Sequence, residues 1–438
     1  VSLDVSPHLE AALAQSQDAR GISSMAQGLV GSPILTIAGQ VKAKIAAGED
    51  VLNLTVGDFS PTEFPIPTQL RDGNIAALQD GQSNYPPATG VVQCRQAVQG
   101  LFSRHMGLDY PLDCILIAGG ARPMIAGSYL ALINPGDKVV FGLPSWNNSY
   151  YCNITGAEPV ALPTTPDNRF FVRNEDLLPH LADARMLVLN TPQNPTGTVM
   201  EAEVLKDICE AVVAENQRRA NSGRPALYVV FDQIYWLLTF DGIEHHNPVS
   251  LVPEMAPYTI FVDGISKGFA ATGLRVGWAV GPQDVIRKMG AILSHLGAWA
   301  PKPEQIATAA LLNDDAAMKT YLDGMKQQVG ARLSVLSDTM HTLKAEGFDV
   351  DAIPPQGAIY LSVRLNLQGK TTPSGQVLKT DEDVRCFLLE EAGVALIPFS
   401  CFGVQGDIGW FRASVGTVSV AQCESIAGRL RGAFSRLS

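Results

Sequence analysis

The sequence predicts an α/β protein: a mostly parallel, seven-stranded sheet flanked by helices in a large domain, plus a smaller α+β domain made from both chain termini. Three observations carry this reading. Between about Arg71 and Asn313, seven short apolar runs alternate with amphipathic stretches, the pattern of a sheet buried on both faces. Gly (40) and Pro (28) are spread along all 438 residues, which implies many short connections. After Asp314-Asp315 one apolar helical face continues for many turns, long enough to bridge two domains. These features place the large domain at residues 71–313 and the smaller one at 1–70 and 314–438.

Taken in order, Ile34, Ile37, Val41 and Ile45 recur at helical spacing, with Gly48 as the stop. Val51–Thr55 reads as a short strand entering a turn at Gly57-Asp58-Phe59-Ser60-Pro61. The seven runs are Cys114–Ala118, Lys138–Phe141, Pro159–Leu162, Met186–Leu189, Tyr228–Phe231, Thr259–Val262 and Val276–Val280. Asp314 is an N-cap for the long helix, whose inner face is Met318, Leu322, Met325, Val329, Leu333, Leu336, Met340 and Leu343. Strands follow at Ala358–Val363, Val394–Ile397 and Trp410–Ser414, and Ile426, Leu430 and Phe434 mark a last helix.

Composition excludes several classes. Hydrophobic residues make up 46% and charged residues 17%, too apolar for a disordered chain. A net charge of −11 disfavours nucleic acid and anionic membrane surfaces as partners. The seven cysteines (94, 114, 152, 209, 386, 401 and 423) form no C-x-x-C pair, so the expectation is reduced, mostly buried thiols in the cytoplasm. Val1–Arg20 carries Asp4, Glu10 and Asp18 without an apolar core, which argues against a signal peptide. Ile115–Ile133 is the longest apolar stretch, but Gly119-Gly120, Arg122 and Pro123 split it, so no membrane span is expected. A metal site finds no support: His245-His246 are adjacent and no H-E-x-x-H occurs.

Four segments put polar residues just after an apolar run, the carboxyl edge where open parallel sheets bind ligands. Gly119-Gly120-Ala121-Arg122 is a glycine turn into a helix, whose free N–H groups can hold a phosphate; alone it is also ordinary loop geometry, and it matches no nucleotide fingerprint. Asn190-Thr-Pro-Gln-Asn194-Pro-Thr-Gly197 is a rigid turn that leaves Asn194 as a donor, or else a structural Asx-turn. Asp232 ends a buried run, so it needs a cation or serves as a helix cap. Lys267 follows a strand among small residues, with Arg275 eight positions on. Desolvated beside other cations, its amine would become a nucleophile. Together these specify a phosphate pocket, a nucleophilic lysine and a buried carboxylate, which suits pyridoxal 5′-phosphate.

The string Asn-Pro-Thr-Gly, then Asp-x-x-Tyr, then Ser-Lys with an arginine eight residues on resembles fold-type I, class I/II aminotransferases of the aspartate/aromatic kind. The resemblance runs from about Ile34 to Ser438. It implies that Lys267 holds the cofactor as an aldimine and shuttles a proton, with Asp232 on the ring nitrogen and Asn194 and Tyr235 on the ring hydroxyl. Gly120, Ala121 and Arg122 fall on the phosphate loop, Arg275 on the phosphate arginine, and Ser266 within reach of it; Gly264 stands where relatives often have a serine. Trp146 matches the ring-stacking aromatic, and Tyr85 a tyrosine that reaches the neighbouring subunit's phosphate. Gly57 matches a turn that closes over substrate, and Arg412 the arginine for the substrate α-carboxylate.

The implied activity is transfer of an amino group from an L-amino acid to a 2-oxo acid, by a homodimer with composite sites. A lyase or synthase could use the same parts, because the cofactor does the electronic work. A non-catalytic regulator is disfavoured by the lack of a basic helix pair ahead of the enzyme-like part. For the amino donor, residues 297–306 contain no arginine and offer Trp299 and Lys302. This points to a broad or aromatic/apolar preference.

Overall fold

The computed structural model describes residue 9 and residues 21–438. The reading of residues 1–20 as lacking a signal peptide therefore lies, residue 9 apart, outside the described residues. The strands are β1 (Leu52–Asn53), β2 (Ile115–Ala118), β3 (Lys138–Leu143), β4 (Glu158–Pro163), β5 (Ala184–Asn190), β6 (Tyr228–Asp232), β7 (Thr259–Gly264) and β8 (Gly277–Val280). They continue with β9 (Val350–Ala352), β10 (Tyr360–Leu365), β11 (Val394–Ala395), β12 (Ile397–Pro398) and β13 (Trp410–Ser414).

A seven-stranded sheet has the order β2-β8-β7-β6-β5-β3-β4. The neighbours from β7 to β4 pair in parallel, whereas β8 runs antiparallel to both β7 and β2. Its faces divide by period 2: Leu187 and Leu189 enter one core, Met186 and Val188 the other. That double burial explains the continuous apolar runs. The reading of Pro159–Leu162 as buried on both faces is corrected, since β4 is an edge strand in which only Leu162 is buried.

The direction of β8 matters for function. Parallel strands β5, β6 and β7 exit at one edge, and an antiparallel strand must enter there. Arg275, just ahead of β8, is thus delivered to the same edge as Asn194, Asp232 and Lys267. The exit of β2 and the entry of β8, its neighbour, approach tightly, because a Cβ on Gly277 would lie 2.4 Å from the carbonyl carbon of Gly120.

A second sheet, β12-β13-β10-β9, is antiparallel, and β1 pairs in parallel with β11. The single strand expected over Val394–Ile397 is instead two: β11 joins β1, and β12 joins β13 after Leu396. Asp314 caps the long helix Asp315–Ala345 by accepting from the Ala317 N–H (2.9 Å). Met318 and Leu322 pack in one core of the large sheet, while Met325 to Leu343 pack with β9, β10 and β13. The helix therefore bridges two cores. Among the described residues no helix is long and apolar enough to cross a membrane.

Two glycines test this packing in opposite directions. Gly277→Ala forces a methyl into backbone and should destabilise by about 1–3 kcal/mol. Among the described residues, nothing lies within 4 Å of where a side chain on Gly324, in the long helix, would begin. Gly324→Ala should therefore stabilise by about 0.5–1 kcal/mol. Thermal melting of both variants checks the pair; a Gly277→Ala protein melting with the wild type would refute the close approach.

Candidate active site

One cavity of about 480 Å³ opens at the carboxyl edge of the large sheet, facing β10 and β13. This volume suits a small-molecule ligand. The structure brings Gly57, Ala121, Arg122, Trp146, Asn194, Asp232, Tyr235, Ser266, Lys267, Arg275 and Arg412 together in its lining. Two sequence candidates do not line it. Gly120 sits behind Arg275, where a side chain would meet Arg275 Nη2 at 2.4 Å. Tyr85 stands on the surface, 80% exposed, edge-on to Trp299 with ring centroids 5.1 Å apart.

The exits of β5 and β6 are tied together. Asn190 Nδ2 donates to the Asp232 carbonyl (2.9 Å), and Asn190 Oδ1 accepts from the Asn194 N–H (2.8 Å). Asp232 Oδ1 accepts from the Ile234 N–H at 3.1 Å, a turn that aims the carboxylate across the cavity floor. Burial pushes the Asp232 carboxyl up to about 6; the Ile234 N–H and the charge of Lys267 act against this. Desolvation wins because no cation touches it.

Lys267 sits in the turn of helix that follows β7, with Nζ donating to the Gly57 carbonyl (2.5 Å). Its pKa falls to about 8, chiefly through burial; Asp58 resists, while Arg412, Arg122 and Arg275 reinforce the drop. The amine is thus poised close to neutrality, the state in which lysine is a nucleophile or base.

Arg275, at φ +57°, donates to the carbonyls of Thr272 (2.6 Å) and Gly119 (2.8 Å). Ser266 and the start of the helix Ala121–Leu132 border it on the cavity side. At the exposed rim the Arg122 guanidinium carbon lies 4.3 Å from the Trp146 ring centroid. Arg412 comes from β13 and is buried, donating to Asn194 Oδ1 (3.0 Å) and the Thr55 carbonyl (2.5 Å). Its buried Nε has no partner, an N–H without an acceptor.

Sequence reasoning missed several lining residues. Tyr360 places its hydroxyl 2.5 Å from that of Tyr235. Asp58 accepts from Thr272 Oγ1 at 2.6 Å, clasping the turn after β1 to the loop after Lys267. Ser32, Ile34 and Leu35 border the mouth. Asp58 and Tyr360 were within the turn and strand that the sequence marks, but their partners lie 214 and 125 positions away.

The profile for the family described as aminotransferase class I and II matches residues 49–430. The chain belongs to this family. It is 29% identical over 410 residues to an aspartate aminotransferase of Rhizobium meliloti (strain 1021), covering 93% of this chain and 94% of that one. A probable aspartate/prephenate aminotransferase of Rhizobium leguminosarum bv. phaseoli is also 29% identical, over 91% of this chain and 95% of its own. Among solved structures, the aspartate aminotransferase from Rhizobium meliloti superposes with a TM-score of 0.85 at 28% identity, covering 95% of this chain and 99% of that one. The Thermus thermophilus enzyme with maleate gives 0.83 at 25% identity over 94% and 100%. The protein is an aminotransferase with the α/β fold of those enzymes.

The Asp232 carboxyl makes a stability prediction. Its folded pKa of about 6 lies above the usual 3.8, so folding loses stability as pH rises through that interval and regains none above it. In protein freed of small ligands, Asp232→Asn should raise the melting temperature at pH 7.5 and make little difference near pH 4. Equal effects at both pH values would contradict the assignment.

Proposed function

We propose that the cavity binds pyridoxal 5′-phosphate and that the protein uses it to move an amino group from an L-amino acid to a 2-oxo acid. The observation that carries this reading is the opposed pair in one cavity: an amine pushed down to about 8 and a carboxyl pushed up to about 6, neither with a charged partner in contact. Each fits a partner the other cannot supply. An aldehyde suits the Lys267 amine, and a protonated ring nitrogen suits Asp232. The donor set fits the rest of the cofactor. Arg275, Ser266 and the N–H groups at Ala121 and Arg122 would hold its phosphate, Asn194 and Tyr235 its ring hydroxyl, and Trp146 its ring face. Asp232 would hold the ring nitrogen.

When bound, this cofactor supplies an electron sink for the substrate Cα. The chain's own groups do the remainder. Arg412 would take the α-carboxylate through its unpartnered Nε and its remaining Nη hydrogens, fixing which bond at Cα faces Lys267. Lys267 Nζ would accept the proton from Cα and carry it a short distance within the same cavity. The Gly57 carbonyl is the acceptor that keeps Nζ in place. Asp58, fixed by Thr272, is the opposing charge that resists the fall in the amine's pKa.

The large domain would be residues 71–313, with the cofactor, and the smaller one residues 1–70 and 314–438, with Arg412. The seven free cysteines fit a cytoplasmic location. A homodimer is supported by Tyr85, an exposed aromatic that lies outside its own cavity. It would complete the partner's phosphate site. Sedimentation at working concentration should give a dimer; a fully active monomer would refute the composite site.

Two donor preferences are in play. The apolar residues Ile34 and Leu35 in the cavity lining support the broad or aromatic/apolar choice. Trp299 and Lys302, offered by the sequence for this wall, do not line the cavity, Trp299 packing on Tyr85 and Lys302 bonding Asn84. A specific observation favours acidic donors. Among the described residues Arg122 faces Trp146 and has no carboxylate in ion-pair range, so the rim offers a cation to a distal carboxylate. The relatives are named for aspartate and for aspartate/prephenate, which agrees with the acidic choice. A panel of aspartate, glutamate, phenylalanine, tyrosine, leucine, alanine and lysine with 2-oxoglutarate decides. Aspartate favoured a hundredfold in kcat/KM, about 2.7 kcal/mol of discrimination, and lost in Arg122→Gln, establishes the acidic preference; phenylalanine equal to or above aspartate establishes the other. In every case Lys267→Ala should abolish turnover, and normal activity in that variant would overturn the site.

A further inference from the structure

Tyr360 is a buried phenol in the cavity wall that none of the roles above uses. It opens β10 and touches three of the site's groups at once. Its hydroxyl lies 2.5 Å from that of Tyr235. Its ring centroid lies 4.7 Å from the Arg412 guanidinium carbon. Its oxygen also packs over Gly57, where a Cβ would come within 2.4 Å of it. The sheet register explains the second contact. Ser362 is opposite Arg412 across β10 and β13, and Tyr360 lies two residues from Ser362, on the same face. The charged and titratable groups around the hydroxyl are Tyr235 after β6, Arg412 on β13, Asp58 after β1 and Asp232 at the end of β6. Lys267 Nζ is 5.8 Å from the Tyr235 ring centroid.

A phenol has one hydrogen, so only one partner can donate in the shared bond. If Tyr235 donated to Tyr360, it would have no hydrogen left for the cavity. If Tyr360 donates, Tyr235 keeps its hydrogen, and accepting a bond polarises that O–H and makes it a stronger donor. The position of Arg412 selects between these. A cation over the Tyr360 ring favours release of that hydroxyl's hydrogen. Burial raises both phenols, Tyr235 well above its ordinary range, and the Arg412 charge is the foremost influence drawing Tyr360 back down. Tyr360 is therefore the better donor of the two.

We propose that Tyr360 is a positioning residue that donates its hydroxyl hydrogen to Tyr235, so that the charge state at Arg412 is transmitted to the strength with which Tyr235 donates into the cavity. With Arg412 bare, Tyr235 is a strong donor. A substrate carboxylate on Arg412 offsets the charge, and the donation weakens. The chain is Arg412, Tyr360, Tyr235, three residues from three separate elements. It rests on the cofactor reading above, in which Tyr235 faces the ring hydroxyl.

The test is a pH titration of the visible absorption of protein reconstituted with pyridoxal 5′-phosphate. Wild type, Tyr360→Phe, Tyr235→Phe and the double variant are compared between pH 5 and 10. Tyr360→Phe keeps the ring against Arg412 and removes one oxygen. A weaker Tyr235 donor leaves the ring oxygen more negative, so the nitrogen at Lys267 holds its proton to higher pH. The expected upward shift of the midpoint is about 0.5–1 unit, a three- to tenfold change in that equilibrium. Tyr235→Phe should shift it further, and the double variant should match Tyr235→Phe, because the relay acts only through that hydroxyl. A Tyr360→Phe midpoint equal to wild type overturns the proposal, even with a lowered melting temperature, since a merely structural hydroxyl would behave that way. The same shift on both backgrounds also overturns it. Absence of any visible band in wild type removes instead the cofactor reading on which the relay rests.

Discussion

Charge held by backbone carbonyls, rather than by carboxylates, is the constraint on which this site depends. Lys267 rests on the carbonyl of Gly57, Arg275 on those of Thr272 and Gly119, and Arg412 on that of Thr55. A carbonyl dipole orients a cation without neutralising it. The cavity therefore keeps its positive charge although the chain as a whole carries −11. Burial, reinforced by repulsion from Arg412, Arg122 and Arg275, lowers the Lys267 amine pKa to about 8. Had aspartates anchored the arginines, their charge would have been spent within the protein and the lysine would have lost less of its basicity.

The fold serves that constraint by delivering side chains from distant parts of the sequence to one edge. Parallel strands bring their exits there, and the single reversed strand brings its entrance. The second sheet adds Arg412 from above, and the Thr272–Asp58 bond clasps the turn after β1 against the lysine loop. Asp232, desolvated and without a cation in contact, is left at strain in the protein alone. That is a local loss of stability held in place by the well-packed strands β5 and β7 on either side.

Much of this was legible in the sequence because strand ends and helix caps are local features. The seven apolar runs, the Asp314 cap and the inner face from Met318 to Leu343 are each set by neighbours a few residues away, and each is found in the structure. Asn194, Asp232, Lys267 and Arg275 were recognisable as polar residues abutting such runs, and they line one cavity. Strand direction was not legible: Val276–Val280 is as apolar as its parallel neighbours, and only pairing makes it antiparallel. Nor was the exposure of β4, since position in the sheet, not composition, leaves it at an edge. Tyr360 was hidden for a related reason. A tyrosine in a buried strand is ordinary core until its hydroxyl meets another 125 residues away.

The long helix has a mechanical consequence. Gly324 falls between Leu322, the last of its residues packed with the large sheet, and Met325, the first packed with the other core. Among the described residues nothing outside the helix packs against the space where its side chain would be. From that point to Ala345 the helix runs about 30 Å at 1.5 Å per residue. It is a lever arm with its fulcrum at the handover. A bend of about 5° at Gly324 would carry the far end through about 3 Å, by the same rise, and the smaller sheet with it. A change too small to disturb either core would thus be enlarged to the scale of a hydrogen bond made or broken at Arg412.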